Sequence, residues 1–342
     1  MDAAADHVDV QASRATRPFL AADVGGTHAR VALVRGASDA DGVEVLAYRK
    51  LACAEFPSLS ELLKGFLARD ARIPVRYCVL ACAGVVIGDE VLHDNLAWPI
   101  RLSQLRSALG FDDIAALNDF EAFGYALDAG LVNSGRLLCG PDVREGGPIL
   151  AIGPGTGLGA AVRLPGPGGS VLTTEAGQMD FAPHTMRERE ILARLAPQGG
   201  YVAYELITSG PGLLVLYTTL CALRGIAPQL ATPEAVTAAA LSGTDVQAVE
   251  AVEIFCATLG SFAGALAMAF MATGVVLVGG FLHSIFALLE RSTFAERFLH
   301  GRSVRSFLSR VPVRVMEHGR HGVLGAANWY LRRAAVAGER GP

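Results

Sequence analysis

The stretch LAADVGGTHARVALVRG, residues 20–36, places two glycines and a threonine between two apolar runs. Glycine permits backbone angles that are closed to other residues, and it lets a large group approach the main chain. Such a turn is typical of a β-hairpin, yet the exposed amides of Gly25, Gly26 and Thr27 equally suit a phosphate. Asp23, which closes the first run, is well placed to hold hydrated Mg²⁺. An ordinary hairpin and an anion-binding turn therefore both remain open.

The same pattern returns in PILAIGPGTGLGAAVRL, residues 148–164, where two strand-like runs again flank a Gly/Thr turn. A dinucleotide fingerprint and a P-loop both need glycines that open a helix, and a P-loop also needs a lysine. Here the strand-like AAVRL follows and no lysine does, which excludes both motifs. Gly155, Thr156 and Gly157 therefore form a second candidate phosphate turn. Two such units about 130 residues apart predict two related domains.

The segments between the two turns predict an α/β fold. The runs FLAADV, ARVALVRG and VEVLAYRKL indicate a meander of three strands, and the capping box SLSE, residues 58–61, indicates the start of a helix. Further on, the strand-like VRYCVLACAGVV and DIAAL alternate with the helical LSQLRSALGF and FEAFGYALDAG. Because strands come first and then alternate with helices, we expect an α/β sheet with a mixed edge.

Composition narrows the classes of function. The 342 residues are 51% hydrophobic and 18% charged, with a net charge of −4. Without a long basic run the chain lacks the electrostatic footprint of a nucleic-acid binder, so small-molecule partners are expected. The six cysteines form no CxxC pair and no Cys/His cluster, which predicts reduced core thiols in a cytoplasmic protein. Residues 1–17 lack the apolar stretch of a signal peptide and are predicted to be a disordered tail.

One uncharged segment tests the expectation of a soluble protein. Residues 254–282 contain no Asp, Glu, Lys or Arg, which is longer than the roughly 20 residues that span a bilayer. The segment divides at Gly274 into an Ala- and Gly-rich run, typical of a packed helix, and VVLVGG, typical of a buried strand. We therefore predict no membrane span.

Six motifs together resemble a known family. They are DVGGTHAR, LNDF, GPGTGLG, TTEAGQMDFAP, ELITSGPGL and VVLVGG. Their order and rough spacing are similar to those of the bacterial glucokinase family, within the actin-like, sugar kinase and heat-shock ATPase superfamily, over residues 18–332. The CxCGxxGC zinc motif of the related ROK sugar kinases is absent from the sequence, which favours the non-ROK branch.

The resemblance implies a fold and an activity. The fold is a two-domain actin-like ATPase (ribonuclease H-like) α/β fold with an active-site cleft between a small domain, residues 18–129 plus 318–342, and a large domain, residues 130–317. The activity is ATP-dependent, Mg²⁺-requiring phosphorylation of glucose at its 6-hydroxyl, the first step of glycolysis. Bacterial members are commonly homodimers, so a cytoplasmic homodimer is expected.

The resemblance also implies roles for single residues. Asp119 resembles the general base that accepts the proton of the 6-hydroxyl, although it also suits the N-cap of the following helix. The residues implied at the sugar are Asn95, Asn118, Asp119, Glu175, Gln178 and Glu205. Those implied at ATP and its metal are Asp23, Gly25, Gly26, Thr27, Gly155, Thr156, Gly157, Gly279 and Gly280.

Two positions depart from the family's pattern. His28 stands where the family usually has Asn, a change that we expect to be benign because the turn acts through its backbone. Gln178 stands where the family usually has His; it keeps a neutral donor and acceptor but changes their reach. A kinase for another hexose, such as mannose or glucosamine, therefore remains open, as does a sugar-responsive regulatory protein with weak turnover. A DNA-binding repressor is disfavoured because no helix-turn-helix fits before the first strand.

Overall fold

The computed structural model describes residues 17–37, 42–92, 96–127, 129–166, 169–301, 303–317 and 319–339. Of the predicted tail, residues 1–17, only Arg17 is among them. The described residues form two compact units. The first comprises those within Met1–Asp128, Pro167–Val171 and Gly319–Pro342, and the second those within Ala129–Gly166 and Leu172–His318. Residues 169–171 thus group with the first unit, whereas the sequence-based division assigns them to the large domain.

A five-stranded mixed sheet forms the centre of the first unit. The strands up to residue 118 are β1 Phe19–Val24, β2 His28–Gly36, β3 Val43–Ala52, β4 Tyr77–Cys82, β5 Val85–Ile87, β6 Glu90–Leu92, β7 Ile100–Arg101 and β8 Asp113–Asn118. The sheet has the order β3-β2-β1-β4-β8, with β1–β2 and β2–β3 antiparallel and with β1–β4 and β4–β8 parallel. The predicted meander and mixed sheet are both confirmed. Strands β5, β6 and β7 form a small antiparallel sheet of their own.

Helices pack on both faces of the five-stranded sheet. They are α1 Leu59–Asp70, α2 Leu102–Leu109, α3 Asp119–Ala126 and the C-terminal helix His321–Glu339. Side chains of β1 alternate between two cores: Leu20 lies in the cluster that contains Phe66 of α1, and Phe19 lies in the cluster that contains Tyr330 of the C-terminal helix. Because both faces of β1 are covered, its sequence is a continuous apolar run rather than an alternating one.

The start of α1 agrees with the predicted capping box in one of its two bonds. Ser58 Oγ accepts a hydrogen bond from the Glu61 main-chain amide at 3.2 Å, so the predicted N-cap is confirmed. The Glu61 carboxylate, however, accepts from Lys64 Nζ at 2.9 Å. The Glu61 side chain thus forms an ion pair on the helix surface, where the predicted capping box has it bonded to the Ser58 amide.

The second unit repeats the topology of the first. Its strands are β9 Arg136–Cys139, β10 Ile149–Pro154, β11 Leu158–Arg163, β12 Val171–Thr174, β13 Gly274–Val278 and β14 Val313–Met316. They form a sheet in the order β12-β11-β10-β13-β14-β9. Strands β10 and β11 form an antiparallel hairpin, while β10–β13 and β13–β14 are parallel. This arrangement matches β2-β1-β4-β8, so the repeat inferred from the two Gly/Thr turns is also present in the strand order.

The longest helix of the second unit lies in its core. The helices are α4 Ala129–Ser134, α5 Met186–Leu195, α6 Gly210–Leu223, α7 Pro233–Ser242, α8 Val246–Ala269, α9 Gly280–Ser284, α10 Phe286–Arg291, α11 Phe294–Phe298 and α12 Arg305–Leu308. Among the described residues, α8 alone is long and apolar enough to cross a membrane, and 83% of its most apolar window is buried inside the protein. The uncharged segment is therefore a core helix followed by a buried strand, as predicted.

Glycines let α8 approach its neighbour closely. A Cβ at Gly260 or at Gly264 would run into the main-chain oxygen of Phe294 or of Phe298, respectively. Helix α11 therefore packs directly against the backbone of α8.

A buried ion pair joins α5 to α11. Glu188 and Arg297 are 1% and 7% exposed, and Arg297 Nη1 donates to Glu188 Oε1 at 2.6 Å. Arg297 Nε donates to Ser261 Oγ of α8 at 2.8 Å. Glu188 also completes a capping box with Thr185 at the start of α5. Each charge is thus hydrogen-bonded, which a buried pair requires.

Candidate functional site

The first Gly/Thr turn joins β1 to β2. The Gly25 amide donates to His28 O at 3.1 Å, and Thr27 O accepts from the Cys53 amide at 2.9 Å. Gly26 and Thr27 are exposed at the tip. The turn is held at its base by main-chain hydrogen bonds, which leaves its tip open to solvent and suited to an anion.

Asp23 lies just before this turn and is almost fully buried, with 4% of its surface exposed. Burial raises the pKa of its carboxyl to about 6, although the charge of Arg30 and a hydrogen bond from its Nη1, at 3.3 Å, act in the opposite direction. Gly322 closes the space beside it, because a Cβ there would come within 2.9 Å of the carboxylate. Asp23 is therefore a confined carboxylate that pairs with Arg30.

Parallel strands bring Asp23 and the Asn118-Asp119 pair to the same edge of the sheet. In the register of the sheet, β1 lies beside β4 with Val24 opposite Cys82, and β4 lies beside β8 with Cys82 opposite Asn118. Burial raises the pKa of the Cys82 thiol, and the negative charges of Asp119 and Asp23 raise it further. Both carboxylates therefore lie within electrostatic range of one strand end.

Asn118, not Asp119, is the N-cap of α3. Its Oδ1 accepts from the amides of Phe120 and Glu121 at 2.8 and 3.2 Å, and its Nδ2 donates to Gly84 O at 3.2 Å. The capping role considered for Asp119 is therefore wrong by one residue. Asp119 is half-buried at the first helical position, and its Oδ1 accepts from the Phe120 amide at 2.8 Å. Asn95 lies outside the described residues.

The second Gly/Thr turn joins β10 to β11. The Gly155 amide donates to Gly157 O, and Gly155 O accepts from the Gly210 amide, both at 2.8 Å. Gly210 begins α6, and Ser209 caps that helix by accepting from the Gly212 amide at 3.0 Å. The turn is thus attached to a helix N-terminus, where the helix dipole favours negative charge.

Three of the predicted sugar residues gather behind this turn in the second unit. Glu205 Oε2 accepts from the Leu158 amide at 2.8 Å, and Glu205 Oε1 accepts from Gln178 Nε2 at 3.2 Å. Glu175 is exposed, and its main-chain oxygen accepts from the Gln178 amide at 3.0 Å. Gly177 packs against Leu158, whose oxygen a Cβ would meet. Residues 155–157, 175–178 and 205 therefore form one cluster.

The remaining glycine pair follows β13. Gly279 has a φ of 147°, in the range that favours glycine, and it precedes α9, which begins at Gly280. A Cβ at Gly279 would lie 3.6 Å from Pro154 O, so this bend is next to the end of β10.

A cavity of about 700 Å³ extends from the second turn, a volume typical of small-molecule sites. Its walls are formed by the turn, by the start of α6 and by further residues that no sequence motif singled out. The residues that line the cavity are Pro154, Gly155, Thr156, Gly210, Pro211, Pro233, Glu234, Thr237, Ala238, Leu241, Phe281 and Ser284. The α7 residues carry no motif, so only the folded chain identifies them.

Comparisons with known proteins identify the family. Residues 20–333 match the glucokinase family. The chain belongs to the glucokinase family. It is 43% identical over 322 residues to a glucokinase-like protein of Xylella fastidiosa strain 9a5c, covering 93% of this chain and 96% of that one. It is 38% identical to a glucokinase of Stenotrophomonas maltophilia strain R551-3, with coverages of 92% and 95%.

A solved structure agrees with this assignment. A glucokinase from an Antarctic psychrotroph is 30% identical and superimposes with a TM-score of 0.78, covering 92% of this chain and 99% of that one. The family and the α/β fold of actin-like ATPases inferred from six motifs are thereby confirmed. So is the activity class, that of a glucokinase.

Asp23 fits the metal that glucokinases are expected to use. Proteins bind Mg²⁺ through one or two carboxylates and leave its other positions to water and substrate phosphates. Asp23 supplies one buried carboxylate beside the first turn. Across the described part of the chain, no group of three or more His, Cys, Asp or Glu side chains is arranged as a metal site. A single carboxylate oxygen donor of this kind is compatible with Mg²⁺ that is also bound by substrate phosphates.

Proposed function

We propose that this chain transfers the γ-phosphoryl group of ATP to the 6-hydroxyl of glucose, giving glucose 6-phosphate and ADP. One observation carries the proposal beyond family membership. The turn at Gly155–Gly157 and the sugar-side Glu205 are joined by the 2.8 Å hydrogen bond at Leu158. A phosphate turn and a hydroxyl acceptor built as one piece suit an enzyme that binds ATP and a sugar together.

Asp119 is the proposed general base. As the 6-oxygen of the sugar attacks the γ-phosphorus, its proton passes to the Asp119 carboxylate, while the bond from that phosphorus to the departing ADP oxygen breaks. No covalent enzyme intermediate is needed, because phosphoryl transfer depends mainly on positioning and charge neutralisation. The first-turn position of Asp119 leaves helix capping to Asn118.

The proposed sugar contacts divide by chemistry. Glu175 and Glu205 accept hydrogen bonds from hydroxyls near the anomeric end, and Gln178 offers both a donor and an acceptor. Asn118 has its oxygen committed to the α3 cap and one Nδ2 hydrogen committed to Gly84 O, so its second Nδ2 hydrogen is the donor that remains for a ring hydroxyl. Asn95 stays a predicted contact.

The two Gly/Thr turns are proposed to bind the phosphates. Gly25, Gly26 and Thr27 supply the first set of main-chain amides, and residues 155–157 the second. The cavity beside the second turn has the size for a nucleoside, and Phe281 and Ser284 of α9 line it. Gly279 and Gly280, at the start of that helix, stay predicted contacts on the adenosine side. Asp23 would hold Mg²⁺, which supplies charge neutralisation at the phosphates when it is bound.

An ADP-release assay tests the proposal. With MgATP and a panel of glucose, mannose, glucosamine and fructose, we expect glucose-dependent ADP release that Asp119→Ala lowers by about 10²- to 10⁴-fold. Product analysis should give glucose 6-phosphate. If glucose is inactive and another hexose is phosphorylated, the same mechanism applies to that hexose.

A second candidate is a kinase for another hexose, and the environment of Gln178 favours keeping it. Gln178 Nε2 donates to Glu205 Oε1, so one hydrogen of the Gln178 amide and one lone pair of this carboxylate are already used within the protein. A sugar-responsive regulator with weak turnover is disfavoured by the intact Asp23, Asp119 and both turns. As part of the same proposal, the protein acts as a cytoplasmic homodimer at the first step of glycolysis.

A further inference from the structure

The side chain of Gln178 is held from two directions. Its Nε2 donates to Glu205 Oε1 at 3.2 Å, and its Oε1 accepts from the Tyr201 hydroxyl at 3.1 Å. The Tyr201 hydroxyl also bonds to the Gln178 main-chain oxygen, so these two acceptors share its single proton. Because Gln178 and Tyr201 are both exposed, these bonds order side chains that would otherwise rotate in solvent.

The backbone brings the segments that carry Gln178, Tyr201 and Glu205 together. The Phe181 amide donates to Val202 O at 2.7 Å, and the Tyr204 amide donates to Met179 O at 3.0 Å. These bonds pair residues 179–181 with residues 202–204 in an antiparallel arrangement, with Asp180 opposite Ala203. In this register Glu205 lies opposite Gln178, and Tyr201 lies at the other end of the paired segment, from where its hydroxyl contacts Gln178.

These contacts fix which way the Gln178 amide points. A carboxylate only accepts hydrogen bonds, so Glu205 requires the Nε2 end, which leaves the Oε1 end to accept from the Tyr201 hydroxyl. A flipped amide would set its oxygen against the carboxylate. In the observed orientation, one Nε2 hydrogen and one Oε1 lone pair are left for a ligand.

We propose that Tyr201 is a positioning residue for the hexose, acting through Gln178. This inference rests on the proposed function, in which Gln178 contacts the sugar. Glutamine has three rotatable bonds and an amide that can point either way, so a site that uses it must restrain both features. A histidine at this position has two rotatable bonds and a rigid ring. Tyr201 supplies that restraint, and removing its hydroxyl weakens sugar binding without touching the transferring group.

A double-mutant cycle tests the proposal with glucose as the ligand. We expect Tyr201→Phe to raise the glucose KM by about 3- to 10-fold, the effect of losing one hydrogen bond, with kcat within about twofold. In a Gln178→Ala background the same substitution should change the KM by less than about twofold, because the amide that Tyr201 holds is gone. The bond to the main-chain oxygen of residue 178 survives in that background, so a merely structural role would not disappear with it.

Tyr217→Phe is the matched control. The Tyr217 hydroxyl donates to Asp245 Oδ2 at 3.0 Å in the core of the second unit, so its loss lowers the melting temperature while the glucose KM stays the same. If Tyr201→Phe raises the KM equally in both backgrounds, or changes kcat instead, the positioning role is wrong while the kinase assignment stands. A folded wild-type protein that phosphorylates no hexose contradicts the proposed function, and the inference with it.

Discussion

Glu205 reaches the second Gly/Thr turn directly: its Oε2 accepts a hydrogen bond from the Leu158 amide, the first residue after Gly157, at 2.8 Å. Its other oxygen accepts from Gln178. One carboxylate thus joins the proposed phosphate turn to the proposed sugar contacts, and the two halves of the reaction share a structural element.

Glu205→Ala should therefore weaken both substrates. We expect the glucose KM to rise about tenfold or more, since a hydroxyl acceptor is lost, and the ATP KM to rise a few-fold, since the turn loses an anchor. Glu175→Ala is the control: among the described residues no hydrogen bond joins its side chain to the turn, so only the glucose KM should rise. Steady-state kinetics with each substrate varied in turn provide the measurement. An unchanged ATP KM in Glu205→Ala would show that the turn does not depend on Glu205.

Substitutions at two glycines of the turn distinguish an effect on nucleotide binding from an effect on folding. Within the described chain no atom lies within 4 Å of a Cβ at Gly155, whereas one at Gly157 would run into the Glu205 carboxylate. We expect Gly155→Val to leave the melting temperature within a few degrees and to weaken ATP binding, because the added methyls occupy the phosphate space. Gly157→Val should lower the melting temperature as well. If a Gly155→Val protein binds ATP normally in calorimetry, this turn is an ordinary hairpin turn and does not bind the phosphates.

Substitutions at the end of β8 separate catalysis from helix capping. Asp119→Ala should lower kcat by about 10² to 10⁴ while glucose binding and the melting temperature change little, because the cap belongs to Asn118. Asn118→Ala should cost about 1 kcal/mol of stability through the lost cap. Activity assays paired with thermal melts distinguish the two. Near wild-type turnover in folded Asp119→Ala would remove it from the role of base.

Gln178→His tests the main departure from the family. If Gln178 contacts glucose less well than a histidine, this substitution should lower the glucose KM by a few-fold to about a hundredfold with little change in kcat, as expected for uniform binding. The assay should include mannose and glucosamine. Weaker glucose use together with improved use of another sugar, or of none, would mean that the pocket is built around glutamine for a different ligand.

The buried Glu188–Arg297 pair predicts how stability falls in acid. Burial raises the pKa of Glu188, but hydrogen bonds from Arg297 and from the His184 amide outweigh it and hold the pKa below its ordinary value. The pair therefore stabilises fully above the unfolded pKa of about 4.3, and the stabilisation is lost as the pH falls through the lower folded value. Urea titrations from pH 7 to pH 3 should show this decline in the wild type.

Substitutions at this pair complete the test. Glu188→Gln should cost about 3 to 5 kcal/mol at pH 7 and should flatten the decline in acid, since it leaves Arg297 buried without its counter-charge. Glu190→Gln, which removes an exposed partner of Arg187, should change stability by less than about 1 kcal/mol. Equal effects of the two substitutions would contradict a stabilising buried pair.

Local patterns predicted most of the fold. The Gly/Thr turns, the strands around them and the division at Gly274 follow from residue order within about ten positions, and each is present in the structure. The one-residue error at the α3 cap has a local cause too, because Asn118 and Asp119 are both good caps and only the backbone angles choose between them.

The arrangement of the site depends on contacts that no local pattern in the sequence predicts. Gln178 and Glu205 meet because residues 179–181 pair with 202–204, a pairing without a hairpin signal between them. Tyr201 was missed for the same reason. Nothing in the sequence marks an exposed tyrosine as functional, and only its contact with the Gln178 amide does so. The α7 wall of the cavity is likewise set by packing.

Helix α8 limits how this protein can diverge. Glycine to alanine adds a single methyl group, and α8, which is rich in alanine, contains only two glycines, Gly260 and Gly264. At positions 260 and 264 the added methyl has nowhere to go, because main-chain oxygens of Phe294 and Phe298 already fill the place. An engineer who wants a more robust enzyme should therefore diversify the exposed loops and leave these two sites untouched.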